Sequence, residues 1–341
     1  ERGEYEAARG LFERALEINR GTGNRKEEAR MLSALGIIAW REKEFDEAIS
    51  RQNHALEIQQ AIGDRSGVGA TLYSIAQTES DLGNYAGAKK RLEQALEIHL
   101  SSNNKWWQAV VLSQLVVTYI LVGNWGKATE QAAYGCTLCK EMGAELLEAY
   151  ILCNLGQIQR EQKNFSEAEK TLASGLVMAE RSGDNYLTAI YKSELAAIDL
   201  ENRVFDRALE LSLENLAFYS EQDSLKFATD DISRTAVINL YLKNRADAIH
   251  YADQTMMILD ESEGEGIAYG HRDYFRCYQV FSESGKSERA IQALKSAERL
   301  LKTNAAKISD KEMRRSFLQN VSFNAEVRRE AERVLGLRIA I

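Results

Sequence analysis

Two segments of the sequence combine residue types and spacings that could support chemistry. Cys136 and Cys139 are spaced like the ligands of a metal or the thiols of a redox pair, but no second cysteine pair and no histidine at ligand spacing accompanies them. Residues 122–129 approach a phosphate-binding loop, yet Leu121 occupies the position of its first glycine and no Ser or Thr follows Lys127. We therefore interpret the two cysteines as reduced structural thiols and reject the phosphate-binding loop.

The other residues that could act in catalysis or bind a metal are scattered along the chain. Neither the histidines nor the remaining cysteines have a second ligand at helical spacing: these are His54, His99, His250, His271, Cys153 and Cys277. The acidic, glycine-containing segment 261–266 follows a helical pattern, which is the wrong context for a dinucleotide fingerprint, and we interpret it as an enlarged loop. We expect no metal and no cofactor, and the chain is predicted not to be an enzyme.

Composition and charge restrict the class of protein. The 341 residues include no proline, 45% are apolar, 28% are charged, and the net charge is −8. No apolar run reaches the ~18 residues of a membrane span, the negative charge argues against direct nucleic-acid binding, and free cysteines predict a cytoplasmic location. Residues 302–341 carry nine Lys or Arg against five Asp or Glu. We favour a solvated C-terminal cap for this segment over a basic surface that contacts an acidic domain or a nucleic acid.

The sequence repeats itself every forty residues. An aromatic residue opens each copy, and an alanine follows it three positions later: Tyr5 and Ala8, Phe45 and Ala48, Tyr85 and Ala88, Trp125 and Ala128, Phe165 and Ala168, Phe205 and Ala208. Ala248 and Ala290 continue the alanine column. Nine positions before the aromatic stands a second column of mostly small residues: Gly36, Ala76, Val116, Gly156 and Ala196. Small residues let helices approach closely, so the columns predict an array of packed helical hairpins.

Within each copy the apolar residues follow helical spacing, and turn residues such as Gly63 and Gly183 separate the copies. We predict helices at 25–41 and 45–61, then at 65–81 and 85–101, and onward at the same period. The predicted domains are a repeat array over 1–303 and capping helices over 304–341. The array comprises a half-hairpin at 4–20 and hairpins at 25–61, 65–101, 105–141, 145–181, 185–221, 225–260 and 266–303.

These motifs resemble the tetratricopeptide repeat (TPR). The Leu-Gly pair of that family, its aromatic-x-x-Ala turn and its later Ala-Leu correspond here to Leu35-Gly36, Phe45-Asp46-Glu47-Ala48 and Ala55-Leu56. The forty-residue period without proline is similar to the long-helix subclass in MalT-like regulators, STAND signalling ATPases, kinesin light chain and Pins-type scaffolds. The resemblance implies an all-α fold, a right-handed α-α superhelix of about seven hairpins with a C-terminal cap.

Patterns at both ends of the sequence favour the interpretation that the chain belongs to a larger protein. Residues 308–321 resemble the segment that closes TPR regions in large bacterial signalling proteins. Residues 4–20 match the second helix of a repeat, with no first helix before them to cover their apolar face. We therefore expect the chain to be part of a larger protein with a switch or effector domain upstream.

By analogy with TPR proteins, the first helix of each hairpin lines a concave groove, and its inward positions are predicted to bind the partner. These positions are Trp106, Val110, Val117, Leu146, Tyr150, Asn154, Gln157, Arg160, Tyr186, Ile190, Tyr73 and Gln77. Aromatic and amide side chains suit a peptide or helix, whose side chains need pockets and whose backbone needs hydrogen bonds. The alternative is that Trp106, Leu146 and Tyr186 pack against the neighbouring hairpin.

The functional hypothesis is a non-enzymatic sensor or scaffold region of a larger bacterial signalling protein, with a peptide or protein partner in the groove. We expect no membrane association. The alternatives are a TPR domain that senses a small-molecule inducer or a quorum peptide, and a Pins-like adaptor scaffold.

Overall fold

The computed structural model describes residues 2–222, 224–261, 264, 267 and 269–337. Within these residues the chain forms α-helices joined by short turns, with no β-strand. The helices are α1 (Arg2–Thr22), α2 (Arg25–Arg41), α3 (Phe45–Ala61), α4 (Arg65–Asp81), α5 (Tyr85–Ser101), α6 (Lys105–Leu121), α7 (Trp125–Met142), α8 (Glu145–Glu161), α9 (Phe165–Ser182), α10 (Asn185–Glu201), α11 (Phe205–Glu221), α12 (Thr229–Tyr241), α13 (Arg245–Glu261), α14 (Gly270–Glu283), α15 (Ser287–Lys307), α16 (Lys311–Asn320) and α17 (Ser322–Leu335). A 3-10 helix at Leu225–Ala228 precedes α12. None of the described helices is long and apolar enough to cross a bilayer.

The contacts divide the chain into two compact units. The first unit contains the residues up to Tyr119, together with Glu130–Ala144 and Lys307–Asp310. The second unit contains Ile120–Thr129, Glu145–Ala306 and the residues from Lys311 onward. Even-numbered helices from α2 to α14 are the first helices of the hairpins, and the odd-numbered helices that follow them are the second helices.

A residue with left-handed backbone geometry follows successive helices at intervals of twenty residues. It is a glycine at Gly23, Gly63, Gly83, Gly123, Gly143 and Gly183, and another residue at Lys43, Asn103, Lys163, Arg203 and Lys243. After α2, the Lys43 N–H donates to the Trp40 carbonyl (3.0 Å) and the Glu44 N–H donates to the Ala39 carbonyl (2.8 Å). These two bonds satisfy carbonyls at the helix end, so the turn stops one helix and starts the next within three residues.

In about half of the turns, the side chain of the residue after the left-handed position caps the next helix. At the start of α4, the Asp64 carboxylate accepts a hydrogen bond from the Gly67 N–H (3.0 Å). Asn84, Asn104, Asn124 and Asp184 make the equivalent bond in later turns. This bond satisfies one of the four free N–H groups at a helix start, so stop and start signals adjoin in the sequence.

The alanine column lies where helices meet. Ala48, Ala88, Ala128, Ala168, Ala208 and Ala248 are fully buried, whereas the aromatic residues that open the second helices are half-buried. In the small-residue column, a Cβ added to Gly36 would lie 2.7 Å from Gln52 Cγ, and one added to Gly156 would lie 2.4 Å from Leu172 Cδ2. The small residues are therefore required by the close approach of the two helices within a hairpin.

Each apolar core draws on three consecutive helices. In the first unit, Leu16 of α1 packs with Leu32 and Leu35 of α2 and with Ile58 of α3. In the second unit, a corresponding core joins α8, α9 and α10, with Tyr191 at its centre. A single hairpin leaves one apolar face open, and its neighbour covers that face. These features confirm the predicted all-α solenoid of helical hairpins.

The helix ends bear on the predicted domain limits. The predicted start of the last hairpin at residue 266, most of the segment 261–266 and the end of the predicted cap lie outside the described residues. The first helix of that hairpin, α14, begins at Gly270, and α15 continues to Lys307 past the predicted limit at residue 303. The division into a repeat array and a cap stays a prediction.

The turn geometry predicts opposite effects for one chemical change. Gly63→Ala should lower the free energy of unfolding by about 1 kcal/mol, because alanine is strained at φ 73°. Gly10→Ala should raise it by about 0.5–1 kcal/mol, because Gly10 lies within α1 and an added Cβ would meet no atom within 4 Å. Lys43→Gly should also stabilise. Urea unfolding followed by circular dichroism checks the order, and a destabilising Gly10→Ala would contradict this account.

Candidate functional site

Two of the predicted groove residues of the first unit, Trp106 and Tyr73, contact the ring of Trp107. Trp106 is 52% exposed and contacts Trp107 edge to face, with ring centroids 5.2 Å apart. Tyr73 contacts the same ring at 5.8 Å and accepts a hydrogen bond at its hydroxyl from Gln77 Nε2 (3.1 Å). Val110 and Val117, farther along α6, are half-buried. The first unit thus presents one exposed indole on a partly buried aromatic cluster.

In the second unit, four predicted groove residues are exposed and repeat with the forty-residue period. Leu146 and Tyr150 of α8 are 43% and 39% exposed, and Tyr186 and Ile190 of α10 are 50% and 43% exposed. We call these four residues the apolar stripe. The Tyr150 hydroxyl donates to the carboxylate of Asp184 (2.8 Å), which also caps α10. The stripe therefore combines four apolar side chains with a fixed polar group at the first turns of α8 and α10.

The sequence analysis missed a further exposed aromatic residue. Phe227 lies in the 3-10 helix that precedes α12 and is 66% exposed. It stands forty-one positions after Tyr186, one residue out of the repeat register. A search of that register with a tolerance of one residue would have found it.

The other three predicted residues of α8 have different environments. Asn154 is half-buried, and Gln157 Nε2 donates to the hydroxyl of Tyr269, just before α14 (3.2 Å). Arg160 is only 7% exposed and forms ion pairs with Glu194 (2.9 Å) and Glu161 (3.1 Å). The predicted groove positions in the C-terminal half of α8 are thus polar and buried or half-buried, whereas those at its N-terminal end are apolar and exposed.

A buried group of charges in α12 and α14 is the main feature that the sequence analysis did not anticipate. We call it the Asp–Arg cluster; its members are Asp230, Asp231, Arg234, Arg272, Asp273 and Arg276. Asp230 accepts hydrogen bonds from three guanidinium groups, those of Arg234, Arg272 and Arg276, the last at 2.6 Å. Arg234 also donates to Asp231 (2.5 Å). Three positive and three negative side chains therefore balance one another.

The pKa values of the two aspartates that contact Arg276 are shifted in opposite directions. Burial favours the neutral form of Asp230, but the charges of Arg272, Arg276 and Arg234 outweigh it and hold the pKa of this carboxyl well below its usual range. Burial, together with the negative charge of Asp230, raises the pKa of Asp273 to about 6. Asp230 is the central anion of the cluster, and its charge stabilises the three guanidinium groups.

The sequence carries a signal for this cluster. Asp231 and Arg234 stand three residues apart in α12, and Asp273 and Arg276 repeat that spacing forty-two residues later. Pairs at this spacing share a helix face and are common on solvated surfaces. The repetition of this pair in the first helices of two consecutive hairpins, rather than either pair alone, indicates the Asp–Arg cluster.

His271 of α14 is buried next to the cluster. Its Nε2–H donates to Asn324 Oδ1 of α17 (2.6 Å), and its Nδ1 has no hydrogen-bond partner among the described residues. Burial and the charge of Arg272 lower the pKa of His271 to about 4, against the hydrogen bond to Asn324. The imidazole is therefore neutral at physiological pH.

The structure places none of the cysteines or histidines in a metal site. Among the described residues, no group of three or more His, Cys, Asp or Glu side chains is arranged to hold a metal ion. All four cysteines are buried, and none of them forms a disulfide bond. Burial raises the pKa of Cys153 well above its usual value, which keeps it as a thiol.

Two cavities lie beside α17 in the second unit. The larger, about 1040 Å³, is lined by Val237, Leu240 and Phe275 on one side and by Glu326 and Arg329 of α17 on the other. The smaller, about 310 Å³, is bounded by Arg160 and Arg276 and again by Glu326. Both spaces open to solvent, so α17 forms one rim of two surface grooves.

His271 predicts a pH dependence of stability. Its folded pKa of about 4 lies below the usual 6.5, so the unfolded chain binds a proton first as the pH falls, and stability is lost between pH 6.5 and 4. From pH 7 to pH 5 this group should cost about 2 kcal/mol. His271→Gln should remove that part of the decrease in urea unfolding, whereas His250→Gln, at an exposed position, should leave it. An unchanged decrease in His271→Gln would contradict the assignment.

Asp230 predicts a large loss of stability. Asp230→Asn should lower the free energy of unfolding by about 3 kcal/mol, because three buried guanidinium groups lose their shared anion. Asp247→Asn, at an exposed position in the first turn of α13, should cost at most about 1 kcal/mol. Urea denaturation compares the two variants, and equal small losses would show that the cluster does not depend on Asp230.

Comparisons with known proteins identify the same kind of repeat and the same fold. Residues 1–61 and 27–101 match the family model described as Tetratricopeptide repeat. No curated protein matches the sequence. The crystal structure of the apo form of RapI covers 80% of this chain and 99% of its own, with a TM-score of 0.66 and 16% identity. At such identities, structural likeness establishes the fold.

Two further solved structures share this fold. A STAND signal transduction ATPase with a tetratricopeptide repeat sensor, from Pyrococcus horikoshii, covers 92% of this chain at 18% identity and a TM-score of 0.60, and this chain spans 50% of its length. The Rap conjugation gene regulator of plasmid pLS20, in complex with the Phr* peptide, covers 96% of this chain and 98% of its own at 12% identity and a TM-score of 0.61. Tetratricopeptide repeats are recognised by sequence over residues 1–101 and the same hairpin fold continues after them, so the chain resembles tetratricopeptide-repeat proteins and, among them, a STAND-associated repeat region.

Proposed function

We propose that this chain is a non-enzymatic sensor or scaffold region of a larger signalling protein and that it binds a peptide or protein partner through its first helices. The observation that carries the proposal is the exposure of the apolar stripe. Leu146, Tyr150, Tyr186 and Ile190 occupy equivalent positions of α8 and α10, and each is 39–50% exposed. Clustered large apolar side chains at repeated, open positions are typical of interaction surfaces.

The chemistry of the stripe favours a peptide or a protein segment. Tyrosine supplies a large contact area at a low cost in conformational entropy. The hydrogen bond between Tyr150 and Asp184 fixes one ring of the stripe before a partner binds. Apolar side chains of the partner would pack on Leu146 and Ile190, and its backbone would find the Tyr150 hydroxyl and the Asp184 carboxylate at the edge.

Trp106, Val110, Val117, Tyr73 and Gln77 provide a second proposed contact surface, in the first unit. The exposed face of Trp106 and the hydroxyl of Tyr73 are suited to the same kind of ligand, since aromatic side chains are enriched at binding hot spots. Asn154, Gln157 and Arg160 are already paired or partly buried, and in this proposal they support the stripe rather than contact the partner.

Two observations support the non-enzymatic assignment and the class of ligand. The carboxyl groups with strongly shifted pKa values, Asp230 and Asp273, are satisfied by arginines of their own cluster, which is typical of a structural network. The pLS20 regulator, which has the same fold, was solved with a peptide, and this favours a peptide over a small-molecule inducer. Coupling to an upstream switch domain would follow if that domain's two states bound the partner with different affinities.

A peptide selection tests the stripe. Peptides selected from a phage-displayed random library against the purified chain should bind the double variant Tyr186→Ala, Ile190→Ala at least tenfold more weakly than the unmodified chain. The reason is that both apolar side chains that α10 contributes to the stripe are lost. Fluorescence anisotropy measures the affinities.

The matched control is Val177→Ala, Leu213→Ala, which removes equally exposed apolar side chains from the second helices α9 and α11. These changes should leave the affinity of the selected peptides unaltered. Equal losses in both double variants, or no loss in the stripe variant, would contradict the proposal.

A further inference from the structure

One side of α1 is apolar and open. Ala8, Leu11, Ala15 and Ile18 lie on this side, at the spacing i, i+3, i+7 and i+10 of one helix face. Leu11 is 63% exposed and Ile18 is 66% exposed, and the two alanines are half-buried. We call these four residues the α1 face. Helix α1 packs on α2 through a different side, which carries Leu16.

The equivalent positions of later second helices are covered. In α3, forty residues further along the chain, Ala48 and Ala55 are fully buried and Ile58 is only 1% exposed. The helix that covers them is α2, the first helix of the same hairpin. A Cβ added to Gly36 of α2 would lie 3.3 Å from the Ala48 carbonyl oxygen. The repeat therefore shows which kind of element fits the α1 face, namely a first helix.

The composition of the α1 face does not match a surface adapted to water. Leu11 stands where α3, α5 and α7 have Arg51, Arg91 and Gln131. The open helix thus carries a large apolar residue where its covered equivalents are polar. A repeat helix that faces water permanently is normally polar on its outer side. Large apolar side chains grouped on an open face are instead typical of interaction sites.

The close approach within the hairpins sets the pattern of a helix that fits the α1 face. Gly36 of α2 and Gly156 of α8 lie so near their second helices that an added Cβ would be 2.7 Å from Gln52 Cγ or 2.4 Å from Leu172 Cδ2. Phe12 is the equivalent of these two residues in α1, and it is larger than either. A docked helix therefore needs a glycine or an alanine opposite this ring, with apolar side chains before and after it.

We infer that the α1 face is a docking surface for an amphipathic helix of a partner protein, and that this helix has the pattern of the first helices in this chain's own repeats. Its small residue packs on Phe12, and its apolar side chains cover Leu11 and Ile18. The α1 face belongs to the first unit and to a second helix, whereas the apolar stripe belongs to first helices of the second unit. The inference does not depend on the proposed function.

A peptide with the sequence of residues 24–42 represents the partner, because it contains α2 and both of its cap residues. The unmodified chain should bind the labelled peptide saturably in fluorescence anisotropy. Ile18→Glu should weaken this binding at least tenfold, because the peptide would then bury an unpaired charge. Val177→Glu, at a similarly exposed position of the second helix α9, should leave the affinity unaltered. Both substitutions replace exposed side chains, so neither should disturb the fold.

Substitutions in the peptide test the register of docking. Gly36→Leu in the peptide should weaken binding at least tenfold, because the added side chain would collide with Phe12, although leucine favours a helix more than glycine does. Arg30→Leu, at an exposed position of α2, adds the same side chain and should not weaken binding. Hydrogen exchange of residues 5–20 should become slower when the unmodified peptide binds.

A double variant of the chain, Tyr186→Ala, Ile190→Ala, separates this surface from the apolar stripe. It should bind the unmodified peptide with unaltered affinity, since the stripe takes no part in the docking. A tenfold loss in this variant would place the peptide on the stripe and overturn the inference.

Three further results would overturn it. The first is the absence of saturable binding of the unmodified peptide. The second is equal affinity of the Gly36→Leu and Arg30→Leu peptides, or of the Ile18→Glu and Val177→Glu chains. The third is a dimer of the unmodified chain in light scattering that Ile18→Glu dissociates, because the α1 face would then belong to a second copy.

Discussion

The contact between neighbouring helices at the alanine column is the constraint on which the rest of the structure depends. A hairpin of two amphipathic helices has two apolar faces and can bury only one of them by itself, so the second must be covered by the next hairpin. Ala48, Ala128 and Ala208 are fully buried where these helices meet, and in a closely packed interior a larger side chain there would push the helices apart. The left-handed turns keep this contact in register. One added residue would rotate all later side chains of a helix by about 100° and move the alanine away from its partner.

The first helices of the second unit differ between their N-terminal and C-terminal ends. In α8 and α10 the N-terminal turns present the apolar stripe to solvent. Farther along α8, Gln157 bonds to Tyr269 at the start of α14, and Arg160 lies between carboxylates. Charges buried in this way are tolerated because each one is paired. The Asp–Arg cluster joins α12 to α14, whereas the apolar stripe of α8 and α10 is exposed.

Helix α17 sits on the Asp–Arg cluster rather than on an apolar core. Its ring at Phe323 faces guanidinium groups, and its amide at Asn324 faces a neutral imidazole. Polar contacts of this kind give specificity in orientation, but they add little net stability because water competes for the same groups. The contacts of α17 thus differ from those of the three-helix cores, where apolar burial dominates.

The sequence by itself determined the helices, their period and the stripe. The alanine column and the turn residues recur at fixed spacing, and the resemblance to TPR proteins, combined with helical phase, then predicts that Leu146, Tyr150, Tyr186 and Ile190 share one side of the first helices. Phase is a local property, so sequence can reveal it. The tertiary structure decided three other features: the burial of Arg160, the pairing of Asp230 with three arginines, and the position of α17 against α14. Each of these includes a contact between residues 34 to 53 positions apart, and a pair such as Asp231 and Arg234 has the same spacing in a solvated helix as in a buried one. Only the neighbouring helix decides which environment such a pair has, because it removes the water that would otherwise screen the charges.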